Sequence, residues 1–230
     1  MKKIGLIGGT GPESTIMYYK ELNYKIDEVT GGKIMPEISI ESVNFHKAWE
    51  LVSTKQYEKL ADYLSEKVNK LAENGCEIIT LTAGTMHIVF DEIINNTNVS
   101  LVSIPKTICN EVIKSGYKKI GLLGTIFTME QDFMKKDLIQ AGIDVFVPDE
   151  IDRELIAKRI YEELEMGIVK DSTLKEFNNI IQKMKDMYSI EAIILGCTEL
   201  PLILNDENCV LPCLDSVSIH IEKLIELVQE

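Results

Sequence analysis

Hydrophobic and polar positions alternate along this chain in two distinct rhythms. Short runs rich in β-branched and aliphatic residues at 4–8, 37–43, 77–81, 100–104, 120–123, 144–147, 192–195 and 210–214 predict eight strands. Between them the apolar period lengthens to three and four residues. Tyr57, Leu60, Ala61, Leu64, Val68 and Leu71 share one helical face, and Ile156, Ile160, Leu164 and Ile168 form another stripe. Thr128 followed by Gln131 has the spacing of a capping box, which predicts a helix running through Phe133 and Leu138. Strands separated by helices predict an α/β fold with mainly parallel sheets flanked by helices.

The pattern occurs twice. Lys2-Lys3-Ile4-Gly5-Leu6-Ile7-Gly8-Gly9-Thr10 returns as Lys118-Lys119-Ile120-Gly121-Leu122-Leu123-Gly124-Thr125. Glu77-Ile78-Ile79-Thr80-Leu81-Thr82-Ala83-Gly84-Thr85 returns as Glu191-Ala192-Ile193-Ile194-Leu195-Gly196-Cys197-Thr198-Glu199. The duplication predicts two similar lobes with a functional cleft between them. The expected lobes are 1–99, with 208–230 packing back on it, and 100–207. In this register Ala83 matches Cys197, so one copy offers a thiol where the other offers a methyl group.

Composition narrows the partners. The 230 residues suit two lobes of about 110 each. A net charge of −13 argues against nucleic acid, whose binding needs basic clusters. It leaves room for a small anion held by backbone N–H groups. No apolar run approaches the roughly 20 residues that cross a bilayer, and the N-terminal run reads as a first strand rather than a signal peptide. A cytoplasmic protein with no membrane partner is expected. The five cysteines, Cys76, Cys109, Cys197, Cys209 and Cys213, are an odd number without regular spacing and read as free thiols. Cys209 and Cys213 lack the further ligands of a zinc site, so no metal is expected.

In parallel α/β folds, ligands bind beyond the carboxyl ends of the strands. Gly8-Gly9-Thr10-Gly11-Pro12-Glu13-Ser14 opens a helix after a strand and could cradle an anion, or simply form a tight turn. Cys197 stands at a strand tip after Gly196, before an expected helix whose positive end would favour thiolate. It is the one thiol of the five expected to be reactive, with Cys76 and Cys109 as core residues. His87 could orient a ligand or exchange protons, although taken by itself a capping or packing role is the preferred reading. His46 and His220 are expected to be structural.

Taken together, Ile7-Gly8-Gly9-Thr10-Gly11-Pro12-Glu13-Ser14-Thr15, Thr85-Met86-His87, Leu123-Gly124-Thr125, Thr128-Met129-Glu130 and Val147-Pro148-Asp149 carry a family resemblance. So do Tyr161 to Lys170, Leu195-Gly196-Cys197-Thr198-Glu199-Leu200, Leu214-Asp215-Ser216 and His220. Over almost its whole length the chain resembles the aspartate/glutamate racemase family. The resemblance implies a cofactor-independent isomerase, a small amino acid or dicarboxylate as ligand, and a homodimer. It assigns Cys197 as one acid–base group. Thr10, Gly84, Thr85, Thr125, Thr128, Lys170, Thr198 and Glu199 become candidates to hold the substrate.

The resemblance also exposes a departure. The family pattern reads Cys-Asn-Thr-x-His where this chain has Ala83-Gly84-Thr85-Met86-His87. The opposing catalytic cysteine is therefore replaced by Ala83. Thr82 lies one residue away, on the opposite face of a strand. Three explanations remain open: a replaced cysteine, another residue or water serving that face, or a one-sided reaction. The expected function is an aspartate and/or glutamate racemase with activity impaired or altered at Ala83. The alternatives are a one-cysteine lyase or isomerase, and a non-catalytic dicarboxylate or amino-acid binder.

Overall fold

A computed structural model describes residues 1–229. The chain forms two compact units: Met1–Ile104 with the stretch from His220 onward, and Pro105–Ile219.

The first unit contains strands β1 (Ile4–Gly8), β2 (Ile38–Ser42), β3 (Ile78–Leu81) and β4 (Leu101–Val102). They form one parallel sheet in the order β2-β1-β3-β4. Helices α1 (Pro12–Val29), α2 (Phe45–Ser53), α3 (Tyr57–Glu73) and α4 (Phe90–Asn96) lie between the strands. β1 and β3 are buried at every position, which is why they read as continuous apolar runs. The predicted α3 stripe is the buried one: Leu60, Ala61, Leu64, Val68 and Leu71 all face the core.

Helix α5 (Ile104–Ser115) leads into the second unit. There β5 (Lys119–Leu123), β6 (Asp144–Phe146), β7 (Ala192–Leu195) and β8 (Cys213–Asp215) build a second parallel sheet, ordered β6-β5-β7-β8. Its helices are α6 (Ile126–Glu130), α7 (Lys136–Gln140), α8 (Glu150–Glu162) and α9 (Asp171–Tyr188). Helix α10 (Ser216–Gln229) closes the described chain.

The repeat is legible in the packing of each unit. Gly5 and Gly121 hold matching places on β1 and β5. A Cβ on Gly5 would stand 3.1 Å from Leu71 of α3, and one on Gly121 would stand 3.3 Å from Met184 of α9. In both units a missing side chain lets the long helix settle on the central strand. The N-terminal ends of β1 and β5 are also tied alike. Glu77 accepts the Lys3 N–H at 3.4 Å, and Glu191 accepts the Lys119 N–H at 2.9 Å.

Four expectations need correction. Residues 100–104 belong to the first unit, not the second lobe, because β4 pairs with β3. Residues 208–219 belong to the second unit, because β8 pairs with β7; only the stretch from His220 onward joins the first. The helix expected from a Thr128–Gln131 capping box instead begins at Ile126, capped by Thr125, whose side chain accepts the Thr128 N–H at 3.2 Å. It stops at Gln131, which is extended, and the Lys135 ammonium covers the carbonyls of Met129 and Glu130. Ile168 leaves the stripe of Ile156, Ile160 and Leu164, because α8 ends at Glu162 and Gly167 turns left-handed.

Candidate active site

In the second unit the loops after β5 and β7 meet around Thr128. Gly124 and Gly196 make room for it: an added Cβ would lie 2.8 Å and 3.0 Å, respectively, from Thr128 Cγ2. Thr128 is buried and its hydroxyl lies 3.0 Å from that of Thr125. Of this threonine pair, Thr125 is the half-buried member and Thr128 is part of the turn's interior. The Gly196 N–H donates to the Leu123 carbonyl at 2.8 Å, carrying the sheet one residue past β7. The next residue is Cys197.

The Cys197 thiol is half-buried and donates to Glu199 Oε2 at 2.7 Å. Burial, then the Glu199 carboxylate, pushes this thiol well above its ordinary pKa, with Glu165 adding to the effect. Burial and Glu199 also raise Glu165. The expected thiolate is therefore not the resting form. Only the short 3-10 turn Leu200–Leu202 follows Cys197, so the aligned peptides of a full α-helix are absent. Burial, and after it the neighbouring carboxylate, decide the sign instead. Thr198 and Glu199 are both half-buried beside the thiol.

Lys170, at the N-terminus of α9, pairs with Glu163 at 3.0 Å while half of its side chain stays exposed. Glu163 is itself buried and also accepts Thr173 at 2.6 Å and Arg159 at 2.8 Å. Its carboxyl is held below the ordinary range, chiefly by the Thr173 hydroxyl. The sequence pattern singled out Lys170 but missed this anchor, because a glutamate at a helix end carries no sequence sign of burial.

The first unit repeats the framework with different chemistry. Gly9, at φ 84, donates its N–H to Thr15 Oγ1 at 3.0 Å; a Cβ there would meet Val43 N at 2.9 Å. Thr10 and Gly11 follow, half-buried, into α1. The Thr82 N–H donates to Ile7 O at 3.1 Å, the counterpart of Gly196 to Leu123. Thr82 is thus the structural match of Gly196, and Ala83 of Cys197. The Thr82 side chain is buried, donates to Ile7 O at 3.2 Å and lies 3.3 Å from the Thr15 hydroxyl. Its backbone carbonyl accepts Ser14 Oγ. Ala83 is extended and half-buried, and points the other way.

Gly84 and Thr85 open the 3-10 turn Gly84–Val89. His87 sits behind it. Its Nε2 accepts the Ile104 N–H at 3.1 Å, so Nδ1 carries the proton and donates to the carbonyls of Ala83 and Gly84, each at 3.2 Å. Burial lowers its pKa to about 4. A neutral, fully committed imidazole shapes the loop and is not a proton exchanger at neutral pH. His220 is likewise buried, 2.8 Å from the Tyr18 hydroxyl and 3.3 Å from that of Thr80. Among the described residues no cluster of three or more potential ligands could hold a metal ion, and no helix is long and apolar enough to cross a membrane.

Two parallel α/β repeats, each presenting glycine- and threonine-rich loops after its central strands and one of them a thiol, define a duplicated α/β class of fold. The chain belongs to the Asp/Glu/Hydantoin racemase family, whose model matches residues 7–224. The structure of a candidate Asp/Glu racemase from Yersinia pestis superposes with a TM-score of 0.94 at 35% identity, covering 100% of both chains. That of an aspartate racemase homologue from Pyrococcus horikoshii OT3 gives 0.90 at 38%, again over 100% of both. A glutamate racemase from Histophilus somni (strain 129Pt) is 29% identical over 131 residues, 57% of this chain and 47% of that protein. The match therefore spans about half the length of that relative.

Proposed function

We propose that the protein is a pyridoxal-independent amino-acid racemase acting on aspartate and/or glutamate, with Cys197 exchanging the α-proton. The observation that carries this reading is the half-buried thiol at the carboxyl end of β7, 2.7 Å from a carboxylate that can take its proton. Family membership and the solved relatives support the reaction class.

The resting thiol is an acid, suited to deliver a proton to a carbanion. To act in the other direction it first passes its proton to Glu199. The thiolate then takes the α-proton: the Cα–H bond breaks, an S–H bond forms, and the electron pair spreads into the substrate carboxylate. Hydroxyls and backbone N–H groups at Thr10, Gly84, Thr85, Thr125 and Thr198 are the donors we assign to the substrate's oxygens. The Glu165 carboxylate suits its ammonium group, and Lys170 suits a side-chain carboxylate. Thr128, being interior, acts through Thr125.

Ala83 favours a second reading, a one-sided lyase or isomerase, because a methyl group has no proton to exchange. Incubation with single enantiomers of aspartate and glutamate in D₂O separates the two. Deuterium at Cα together with inversion supports the racemase. Deuterium in a product other than the enantiomer supports the lyase. Bound ligand without exchange would leave only a binder.

A further inference from the structure

Four charges meet where α8 gives way to α9. The Glu163 side chain is 4% exposed. One of its carboxylate oxygens accepts Arg159 Nη1 at 2.8 Å and Lys170 Nζ at 3.0 Å, and the other accepts the Thr173 hydroxyl at 2.6 Å. Arg159 also forks onto Glu176, at 2.8 and 2.9 Å, which ties α8 to α9. Two cations and two carboxylates balance, so the buried charge is compensated. The Glu163 backbone holds the same turn. Its carbonyl accepts the N–H groups of Met166 and Ile168, at 3.0 and 2.9 Å, on the way to Lys170.

Within this network Lys170 is the odd member. Its side chain is 51% exposed, against 25% for Arg159 and 34% for Glu176. Among the described residues its ammonium meets only Glu163, so two of its three N–H bonds remain for a ligand. It also stands at the N-terminal end of an 18-residue helix, where the peptide dipoles oppose a cation. Helix stability gives no reason for a lysine there. Nor does Glu163 require it, since Arg159 and Thr173 already engage both carboxylate oxygens. The buried carboxylate holds the lysine, rather than the reverse.

We propose that Glu163 is a positioning residue: through Lys170 it fixes one cation in place, and so selects substrates that carry a side-chain carboxylate over their neutral amides. The inference rests on the assignment of Lys170 to that carboxylate in the proposed racemase. A free lysine side chain samples many rotamers and loses that freedom when it binds. Held at 3.0 Å by a buried anion, the ammonium has lost it beforehand. Arg159, on the same carboxylate oxygen, offsets the repulsion that Glu163 would otherwise exert on the ligand. A neutral amide offers Lys170 a carbonyl without a charge and gains less. Glu163 stays ionised, chiefly through the Thr173 hydroxyl, so the anchor persists at neutral pH.

Calorimetric titration with aspartate and glutamate, each against its amide (asparagine and glutamine), tests this in the wild-type chain, Glu163→Gln, Lys170→Ala and the double variant. The wild type should prefer the acid of at least one pair by about 10- to 100-fold, the range for a hydrogen bond to a charged group. Glu163→Gln should lose most of that preference through weaker binding of the acid, with affinity for the amide unchanged. A general collapse of the site would weaken both. Added to Lys170→Ala, the same change should cost nothing further. Thr173→Val removes one hydroxyl from the anchor and keeps its charge. It should weaken acid binding in the same direction by less, and it decides the matter if Glu163→Gln does not fold. Binding is read rather than turnover, so a protein that selects the acid without exchanging its α-proton would end the racemase reading and leave this one standing. Equal affinity for acid and amide in the wild type, an undiminished preference in the folded variants, or a further loss in the double variant would overturn the proposal.

Discussion

At Cys197 the local charge reverses a simple sequence argument. A strand tip before a helix favours thiolate, but here burial and a carboxylate two residues on hold the proton in place. Glu199→Gln removes that charge. The pH midpoint for alkylation of Cys197 should move down, although burial keeps it above that of an ordinary thiol. Proton exchange at the substrate should nevertheless fall by about 10²-fold, as for loss of one acid–base group. An alkylation midpoint that stays or rises would show that Glu199 does not set the thiol's state. The position of Cys197 was readable from the repeat. Its protonation was not, because Glu199 and the buried surroundings act through distances that spacing alone does not fix.

At the scale of elements, the glycines carry the turns. Gly196→Ala would place a methyl group 2.9 Å from Leu123 O and 3.0 Å from Thr128 Cγ2. Crowding of this kind costs about 1–3 kcal/mol, read as a lowered urea midpoint with unchanged slope. An unchanged midpoint would mean that the β5 and β7 loops are not interlocked through Thr128. Sequence rhythm located all eight strands, most plainly the central β1, β3, β5 and β7, which are buried at nearly every position. It misplaced the ends where side chains intervene, as with Thr125 capping α6, or where a strand's partner decides its unit, as with β4 and β8. Glu163 is a tertiary feature with no local signature.

At the scale of the whole molecule, the buried imidazoles make the first unit acid-sensitive. His87 and His220 have folded pKa values of about 4 and about 3, below the ordinary 6.5, chiefly through burial. The unfolded chain therefore binds protons first as pH falls. Stability should be intact above pH 6.5 and fall between 6.5 and 4 by about 1.4 kcal/mol per pH unit per imidazole. Trp49, the single tryptophan, lies in α2 of the first unit, so its fluorescence reports that unit. Urea midpoints followed by tryptophan emission should drop from pH 7 to pH 5. A flat profile would mean that the two histidines are accessible to protons in the folded state.

The central claim is that the two repeats supply unequal chemistry at matched positions, a thiol at Cys197 and none at Ala83. The most direct test is Ala83→Cys assayed for racemisation of aspartate and glutamate, with the same variant carrying Cys197→Ser as control. Residue 83 is extended and half-buried, so a thiol fits the backbone without strain. Racemisation should rise by about 10²–10⁴-fold over the wild-type chain and fall again in the double variant. An unchanged rate in a folded Ala83→Cys protein that still binds its amino acid would contradict the account.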